Sequence, residues 1–208
     1  VIDCNYNLTD PDRIRVLEKT GLMGTATDPS FDRLANLAAK LLRVPLTIIS
    51  LVSDKKQFFK AAHGLPTPYN LVREIPIDDS ICRYTLHKEA IIAADTSIDP
   101  LLKFHPTVCP WGIVAFISIP LMTSDGQVLG AFCAVDDKIR PWTAEDILIM
   151  RELTESAMTE INLRTQNLEL ESERTLRERF VDALAHDLRN PLGVTKMAAE
   201  MIGGEETT

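Results

Sequence analysis

The chain has 208 residues, of which 45% are hydrophobic and 25% charged, and its formal net charge is −8 at pH 7. These values are typical of soluble globular proteins and exclude the disordered, collagen-like and membrane-embedded classes. Acidic residues outnumber basic residues by 30 to 22, and no block of Lys or Arg is present, so we expect no nucleic-acid partner. The longest apolar stretch, 113–122, is shorter than the roughly 20 residues that span a bilayer, so we expect no membrane segment in this span.

The cysteines indicate the redox environment. Cys4, Cys82, Cys109 and Cys133 are widely spaced, without a C-x-x-C pair or the Cys/His spacing of zinc sites. We therefore expect no metal site and no disulfide framework, but reduced thiols in the cytoplasm. Residue 1 is Val rather than Met, so we also expect the sequence to be a piece of a longer or processed protein.

Helix and strand signals alternate along the first half of the chain. Asp10-Pro11 and Asp28-Pro29 each combine an N-cap residue with a proline suited to a first turn, and they predict two helices, the second over 31–42. Apolar and β-branched runs then predict short strands between polar turns. The predicted elements are strands at 46–52 and 57–63, a loop at 65–76, a helix at 81–87 and a strand at 90–94.

The clearest hairpin joins strands predicted at 113–122 and 128–136. Asp125-Gly126 in the connection supplies the positive φ that a tight turn needs. Short connections of this kind favour antiparallel pairing, because parallel strands need long crossovers. The predicted fold class is therefore α+β, with a largely antiparallel sheet followed by a long C-terminal helix.

No Pro or Gly lies between Trp142 and Asn190, which predicts one very long helix. Thr143 and Asp146 form a near capping box at its start. The apolar spacing alternates between three and four residues at first, which is typical of a coiled-coil seam, and it then becomes four. The two stripes are Ile147, Met150, Thr154, Ala157 and Ile161, and then Leu168, Ser172, Leu176, Phe180 and Leu184. We predict a parallel homodimer through this helix, with a phase break at 163–176.

The strongest chemical signal lies near the end of this helix, at His186. Pro191 inside a helix removes a backbone donor and presses on the carbonyl of Asp187, at a cost of roughly 3 kcal/mol, so a kink is predicted one turn beyond His186. Asp187 is placed to fix the imidazole tautomer and to leave the other ring nitrogen as a nucleophile. Asn190 shares the helix face of His186 and is placed to hold a water.

The string from Phe180 to Leu192 resembles the H-box of sensor histidine kinases, F-x-x-x-x-[AS]-H-[DE]-[LI]-R-[NT]-P-L, at every position. The resemblance implies that His186 accepts the γ-phosphate of ATP, that Asp187 is its acid/base partner, and that Asn190 orients water during dephosphorylation of the response regulator. The partner would be a response regulator receiver domain, and the complete kinase would use ATP and Mg. The sequence stops before an ATP-binding domain, so we expect this span to be inactive alone.

Residues from about 28 to 160 resemble a GAF domain. The matching motifs are Phe31-Asp-Arg-Leu, Val44-Pro-Leu-Thr-Ile-Ile-Ser-Leu-Val-Ser-Asp54, Gln57-Phe-Phe-Lys, Asp79-Ser-Ile-Cys82, Ala94-Asp95-Thr96, Ile119-Pro-Leu-Met-Thr-Ser-Asp-Gly126 and Gly130-Ala-Phe-Cys-Ala-Val-Asp136. The family fold implies a ligand pocket between a central sheet and helices. Its border would include Cys82, His87, His105, Cys109 and Trp111, and its ligand is unknown.

The resemblances divide the chain into four parts. These are an N-terminal helical extension at 1–27, a GAF sensor domain at 28–142, a signalling coiled-coil helix at 143–176, and the first helix of a dimerisation and phosphotransfer domain at 177–208. Three alternatives stay open: a non-catalytic GAF ligand-binding and dimerisation module with an inactive H-box, a bilin photoreceptor, and a haem, metal or redox sensor acting through the cysteines and histidines. Bilin-binding relatives place a cysteine directly before a histidine, whereas Cys109 precedes Pro110.

Overall fold

The structure is a computed structural model that describes the backbone of residues 7–203 and the side chains of residues 7–181. The chain divides into two compact units, Val1–Thr165 and Gln166–Thr208. The first unit contains an antiparallel sheet with helices, and the second belongs to the long C-terminal helix. The predicted α+β class is confirmed.

Two helices precede the sheet, as predicted. Helix α1 spans Pro11–Lys19 and helix α2 spans Pro29–Leu42. The carboxylates of Asp10 and Asp28 accept hydrogen bonds from the backbone N–H groups of Asp12 and Ser30, at 2.9 and 3.0 Å. Each cap therefore satisfies a backbone donor that the first helical turn leaves without a partner.

The sheet has six strands within the described residues, and every neighbouring pair is antiparallel. In chain order the strands are β1 (Leu46–Val52), β2 (Lys56–His63), β3 (Glu74–Pro76), β4 (Ile91–Ala93), β5 (Ala115–Met122) and β6 (Val128–Asp136). Their spatial order is β3-β2-β1-β6-β5-β4. A 3₁₀ helix spans Ile81–His87, in agreement with the predicted short helix. Its N-cap is Ser80, whose side chain accepts a hydrogen bond from the N–H of Arg83.

The prediction of a continuous loop at 65–76 is wrong. This segment contains a short helix, α3 (Tyr69–Val72), and the edge strand β3. The three prolines of the segment obscured both elements in the sequence. An edge strand tolerates proline because one side of it has no partner, and β3 ends at Pro76 while it pairs with β2 alone.

Both faces of the sheet are buried, and successive residues of one strand contribute to different faces. On β5, Ile117 and Ile119 pack into one hydrophobic cluster, whereas Phe116 packs into the other. We call the first face the helix face, because α1, α2 and the C-terminal helix cover it. We call the opposite face the site face, which the 3₁₀ helix and the segment 95–113 cover. This two-sided burial explains why β1 has no exposed position.

The C-terminal helix, α4, spans Ala144–Gly203. The capping box is confirmed: the N–H of Thr143 donates to the Asp146 carboxylate at 3.0 Å, and the N–H of Asp146 donates to the Thr143 hydroxyl at 3.1 Å. Met150, Ala157 and Ile161 are fully buried in the helix-face cluster.

The burial of α4 corrects the expectation of a coiled-coil seam at 147–161. Those residues pack on the sheet of their own chain, so they are not available to a second subunit. An apolar spacing of three and four residues is common to core-facing helices and coiled coils, and it does not specify the partner. The stripe at 147–161 is therefore part of the domain core.

Gly130 gives a test of the sheet packing. A Cβ at this position would lie 1.9 Å from the carbonyl oxygen of Ser50, so β6 would have to move away from β1. We expect Gly130→Ala to lower the free energy of unfolding by about 3 kcal/mol in urea denaturation. Gly24→Ala is the control, because Gly24 has a positive φ but open space around it, and it should cost about 1–2 kcal/mol. Equal losses in the two variants would contradict the packing described.

Candidate functional site

A small cavity lies on the site face, between the sheet and the covering segments. Its volume is about 20 Å³, which is enough for about one water molecule. Strands β1, β2, β3, β5 and β6 supply one wall, and the residues at 79–82 and 107–113 supply the other. The lining residues are Ile48, Gln57, Phe59, Ile75, Asp79, Ile81, Cys82, Thr107, Trp111, Ile113, Phe116, Cys133 and Val135.

Three aromatic rings pack together at one end of this cavity. The ring of Trp111 lies 4.7 Å from that of Tyr69 and 6.0 Å from that of Phe59, between ring centroids. Both pairs are tilted, which is a favourable arrangement for aromatic side chains. Tyr69 belongs to α3, an element that the sequence did not reveal. An organic ligand of the usual size needs a pocket of several hundred Å³, so its entry would require these rings to move.

A chain of polar groups crosses the apolar site face. The Ser80 hydroxyl donates to the side-chain oxygen of Gln57 at 2.5 Å, and the amide of Gln57 donates to the sulfur of Cys82 at 3.3 Å. The sulfurs of Cys82 and Cys133 are 3.0 Å apart. All four side chains are buried. Buried polar groups are costly unless each is paired, and here each has a partner in the next element.

The same chain continues from Cys133 into β5. The Cys133 sulfur is 3.2 Å from the Ser118 hydroxyl, which is 2.9 Å from that of Thr85 on the 3₁₀ helix. Burial raises the pKa of the Cys133 thiol well above its ordinary value. The pKa of Cys82 is lowered instead, chiefly by its hydrogen bond with Cys133, against the opposing effect of burial, with further contributions from Ser50 and Gln57. Cys82 is therefore the more acidic sulfur of the pair.

His105 is buried behind the cavity without lining it. Its ring meets that of Tyr84 edge to face at 5.8 Å. Its Nδ1 accepts a hydrogen bond from the N–H of Thr107 at 3.3 Å, whereas Nε2 has no hydrogen-bond partner among the described residues. Burial lowers the pKa of His105, and the nearby Arg83 lowers it further, against an opposing contribution from Asp79. A neutral imidazole is therefore favoured.

The structure brings together only part of the predicted pocket. Cys82 and Trp111 line the cavity, and His105 lies behind it. His87 lines a different surface groove, and the Cys109 thiol is exposed. Among the described residues, no three His, Cys, Asp or Glu side chains are grouped as metal ligands.

Sequence reasoning missed the partners that complete the polar chain. Gln57, Ser80 and Ser118 are buried, although polar residues of this kind usually lie at the surface. The contact between the sulfurs of Cys133 and Cys82 joins residues 51 positions apart. No local pattern in the sequence carries that information.

The start of α4 is fixed to several elements at once. The indole N–H of Trp142 donates to the carbonyl of Ala93 on β4 at 3.1 Å. The Arg140 guanidinium donates to the carbonyl of Leu42 at 2.8 Å, and it pairs with Asp136 at 3.2 Å and Asp146 at 3.0 Å. These contacts join α2, β4, β6 and α4. Trp142 is thus a packing anchor at the start of α4.

A second ionic contact joins α4 to the start of α2. The Arg164 guanidinium pairs with Asp28, the N-cap residue of α2, and with Glu160 at 2.7 Å. It also lies over the ring of Phe31, 5.4 Å from the centroid. Asp28 therefore caps α2 and also binds α4. This contact fixes the part of α4 that ends the first unit, near residue 165.

The predicted phosphotransfer residues belong to the second unit. The helical range of α4 includes His186, Asp187, Asn190 and Pro191, but their side chains lie outside the described residues. Their roles, and the kink at Pro191, stay predictions.

Comparison with known proteins identifies the first unit. The family model for the GAF domain matches residues 27–161. The chain belongs to the GAF domain family. The matched range extends past residue 142 into α4, where Met150 and Ala157 complete the core of the GAF domain.

Individual relatives are similar to this chain at low sequence identity. A cyclic di-GMP phosphodiesterase of Pseudomonas aeruginosa is 28% identical over 166 residues, which cover 78% of this chain. This chain spans only about a quarter of that relative, 27% of its length. The GAF domain of an Acinetobacter phosphoenolpyruvate-protein phosphotransferase has a TM-score of 0.54 at 15% identity, covering 73% of this chain and 91% of that one.

A further solved structure is a domain of a two-component sensor histidine kinase protein from Sinorhizobium meliloti. Its TM-score is 0.52 at 18% identity, and the match covers 69% of this chain and 94% of that one. No helix among the described residues is both long enough and apolar enough to cross a membrane.

The lowered pKa of His105 gives a pH-dependent test. The unfolded chain binds the proton first, near the ordinary pKa of 6.5, because burial disfavours the charged ring in the folded state. The stability contributed by neutral His105 is therefore present above pH 6.5 and is lost as the pH falls below it. We expect the free energy of unfolding, measured in urea, to decline between about pH 7 and pH 5, and His105→Gln to reduce that slope.

His87→Gln is the matched control, because it removes an imidazole that is only half buried. Slopes against pH are compared rather than absolute stabilities, since either substitution also changes packing. A slope that is the same in His105→Gln and in the unsubstituted protein would contradict the assignment.

Proposed function

We propose that this chain is the sensory and signal-transmitting part of a two-component histidine kinase, in which the GAF domain controls ATP-dependent phosphorylation of His186. The observation that carries the proposal is the complete H-box string at 180–192, located in the same helix that begins in the core of the GAF domain. A lone His-Asp pair is a weak motif. A full match at the end of a long helix is much more specific.

The chemistry proposed for the H-box is phosphoryl transfer to nitrogen. An imidazole nitrogen of His186 attacks the γ-phosphorus of ATP, the N–P bond forms, and the bond to the bridging oxygen breaks as ADP leaves. Asp187 holds the other ring nitrogen and takes the proton, and Asn190 orients water when the regulator is dephosphorylated. ATP and Mg would be held by a separate ATP-binding domain, and the phosphoryl group would pass to an Asp of a receiver domain.

Exposed apolar residues on α4 support pairing between two chains. Leu168, Leu176 and Phe180 are 45%, 70% and 63% exposed. Apolar side chains repeated along one stripe of a helix need a partner surface to leave water. A second copy of this helix offers an identical stripe, which supports the proposed homodimer.

The alternative is a GAF domain that serves a different output or none. The Pseudomonas aeruginosa relative is named as a cyclic di-GMP phosphodiesterase, so a related sensory segment occurs in a protein with another named activity. In that case the H-box string would have no phosphoacceptor role. The experiments below separate the two candidates.

The first experiment tests His186 as the phosphoacceptor. In the full-length protein supplied with radiolabelled ATP and Mg, we expect acid-labile, alkali-stable label on the unsubstituted chain. His186→Gln should reduce it by at least about a hundredfold, because the attacking nitrogen is lost. His87→Gln, a matched replacement within the GAF domain, should retain the label. Label that persists on His186→Gln would contradict His186 as the phosphoacceptor, whereas an unsubstituted chain that acquires no label would favour the non-catalytic alternative.

The second experiment tests transmission through α4. One residue inserted beside Ser172 rotates the following helix by about 100° relative to the preceding part. We expect the rate of autophosphorylation of the full-length protein to change by tenfold or more in either direction.

An insertion of seven residues at the same place is the control. Two helical turns nearly restore the original face, with a drift of about 20°, so output should remain close to that of the unsubstituted protein. Unchanged output after the single insertion would exclude a mechanism based on helix phase.

A further inference from the structure

Cys82 and Cys133 form a thiol pair inside the GAF domain that the proposed kinase chemistry does not use. We propose that this pair is a redox modification site, at which a small hydroperoxide oxidises the two thiols to an intramolecular disulfide. The inference rests on the structure of the GAF domain alone and is independent of the function proposed for His186.

The geometry already places the two sulfurs for bond formation. They are 3.0 Å apart, whereas a disulfide bond is about 2.05 Å long, so about 1 Å of closure is needed. Cys82 lies on the 3₁₀ helix and Cys133 on β6, a strand that is paired on both sides. The 3₁₀ helix covers the sheet without being part of it, so it is the element that would move to bring the two sulfurs together.

The surroundings favour Cys82 as the sulfur that reacts first. The Gln57 amide donates a hydrogen bond to it at 3.3 Å, and the Ser80 hydroxyl holds Gln57 in place. Such donors stabilise a thiolate, which is the reactive form of cysteine. Cys133 is next to the Ser118 hydroxyl instead, and its sulfur lies 3.0 Å from that of Cys82, where it can resolve the first product.

The cavity determines which oxidants fit. Both Cys82 and Cys133 line it, and its volume of about 20 Å³ suits a molecule near the size of water. Hydrogen peroxide is of that class, whereas a bulky disulfide such as oxidised glutathione is not.

The proposed reaction balances with peroxide as the only oxidant. The Cys82 thiolate attacks one peroxide oxygen, the S–O bond forms, the O–O bond breaks, and hydroxide leaves and takes up a proton. The resulting sulfenic acid is attacked by the Cys133 sulfur, the S–S bond forms, and a second water leaves with the Cys133 proton. One peroxide and two thiols thus give one disulfide and two waters, and a dithiol reductant reverses the change.

The test uses the purified chain with Cys4→Ser and Cys109→Ser, which keeps only the two buried cysteines. After exposure to a small excess of hydrogen peroxide, we expect the loss of both thiols, a mass decrease of two hydrogens, and a linked peptide pair containing Cys82 and Cys133. Dithiothreitol added together with urea should restore both thiols. A mass increase from separate sulfinic or sulfonic acids, or two unreacted thiols, would overturn the proposal.

Two further measurements keep the test independent of that variant's folding. In the unsubstituted chain, which has four cysteines, native oxidation should give the Cys82–Cys133 link, whereas oxidation in urea should give a mixture of links. The same mixture under both conditions would show that the folded geometry has no influence. With Cys133→Ser, Cys82 should stop at the sulfenic acid, which dimedone added together with urea should trap, and an unoxidised Cys82 would also overturn the proposal.

Discussion

The first turns of α4 complete the hydrophobic core of the GAF domain, and this packing constrains the rest of the molecule. Met150, Ala157 and Ile161 fill the helix face of the sheet together with residues of α2. A core at normal packing density resists small displacements, because any gap loses both hydrophobic and dispersion energy. The helix that leaves the domain is therefore part of the domain, and it cannot rotate at its base without repacking the sheet.

The same constraint connects the two faces of the sheet. Residues of β6 alternate, so Phe132 and Ala134 pack on the helix face while Cys133, between them, lies on the site face. Strand β6 carries Cys133 at the cavity and also Asp136, which pairs with Arg140 at the base of α4, while Trp142 at that base donates to Ala93 on β4.

The parts of the fold that follow from local physics were predicted from the sequence. The caps at Asp10, Asp28 and Thr143 and the hairpin around Asp125-Gly126 depend on residues within a few positions of one another. The failures involve distant residues. Strand β3 exists only because β2 offers it hydrogen bonds. The buried face of α4 was interpreted as a coiled-coil seam, because periodicity shows that a face is apolar but not what covers it.

The residues of the candidate site also divide into those with a local sequence signal and those defined by contacts between distant segments. Cys82 and Trp111 were identified through their segments, whereas Gln57, Ser118 and Cys133 became part of the site only through tertiary contacts. A polar side chain on a strand predicts an exposed position, and it becomes a site residue only when the opposite layer supplies a partner. Buried polar groups are therefore the features of this domain that sequence patterns are least able to locate.

The exposed apolar stripe of the second unit supports the proposed control of phosphorylation through helix phase. Its residues Leu168, Leu176 and Phe180 are spaced by multiples of four, and each step of four advances the stripe by about 40° around a helix with about 100° per residue. The stripe therefore turns by about 120° between Leu168 and Phe180. In the proposed homodimer, a straight neighbouring helix would cover only part of the stripe at once, so pairings that bury different ends of it would compete, and a small bias between two such states would be sufficient for a switch.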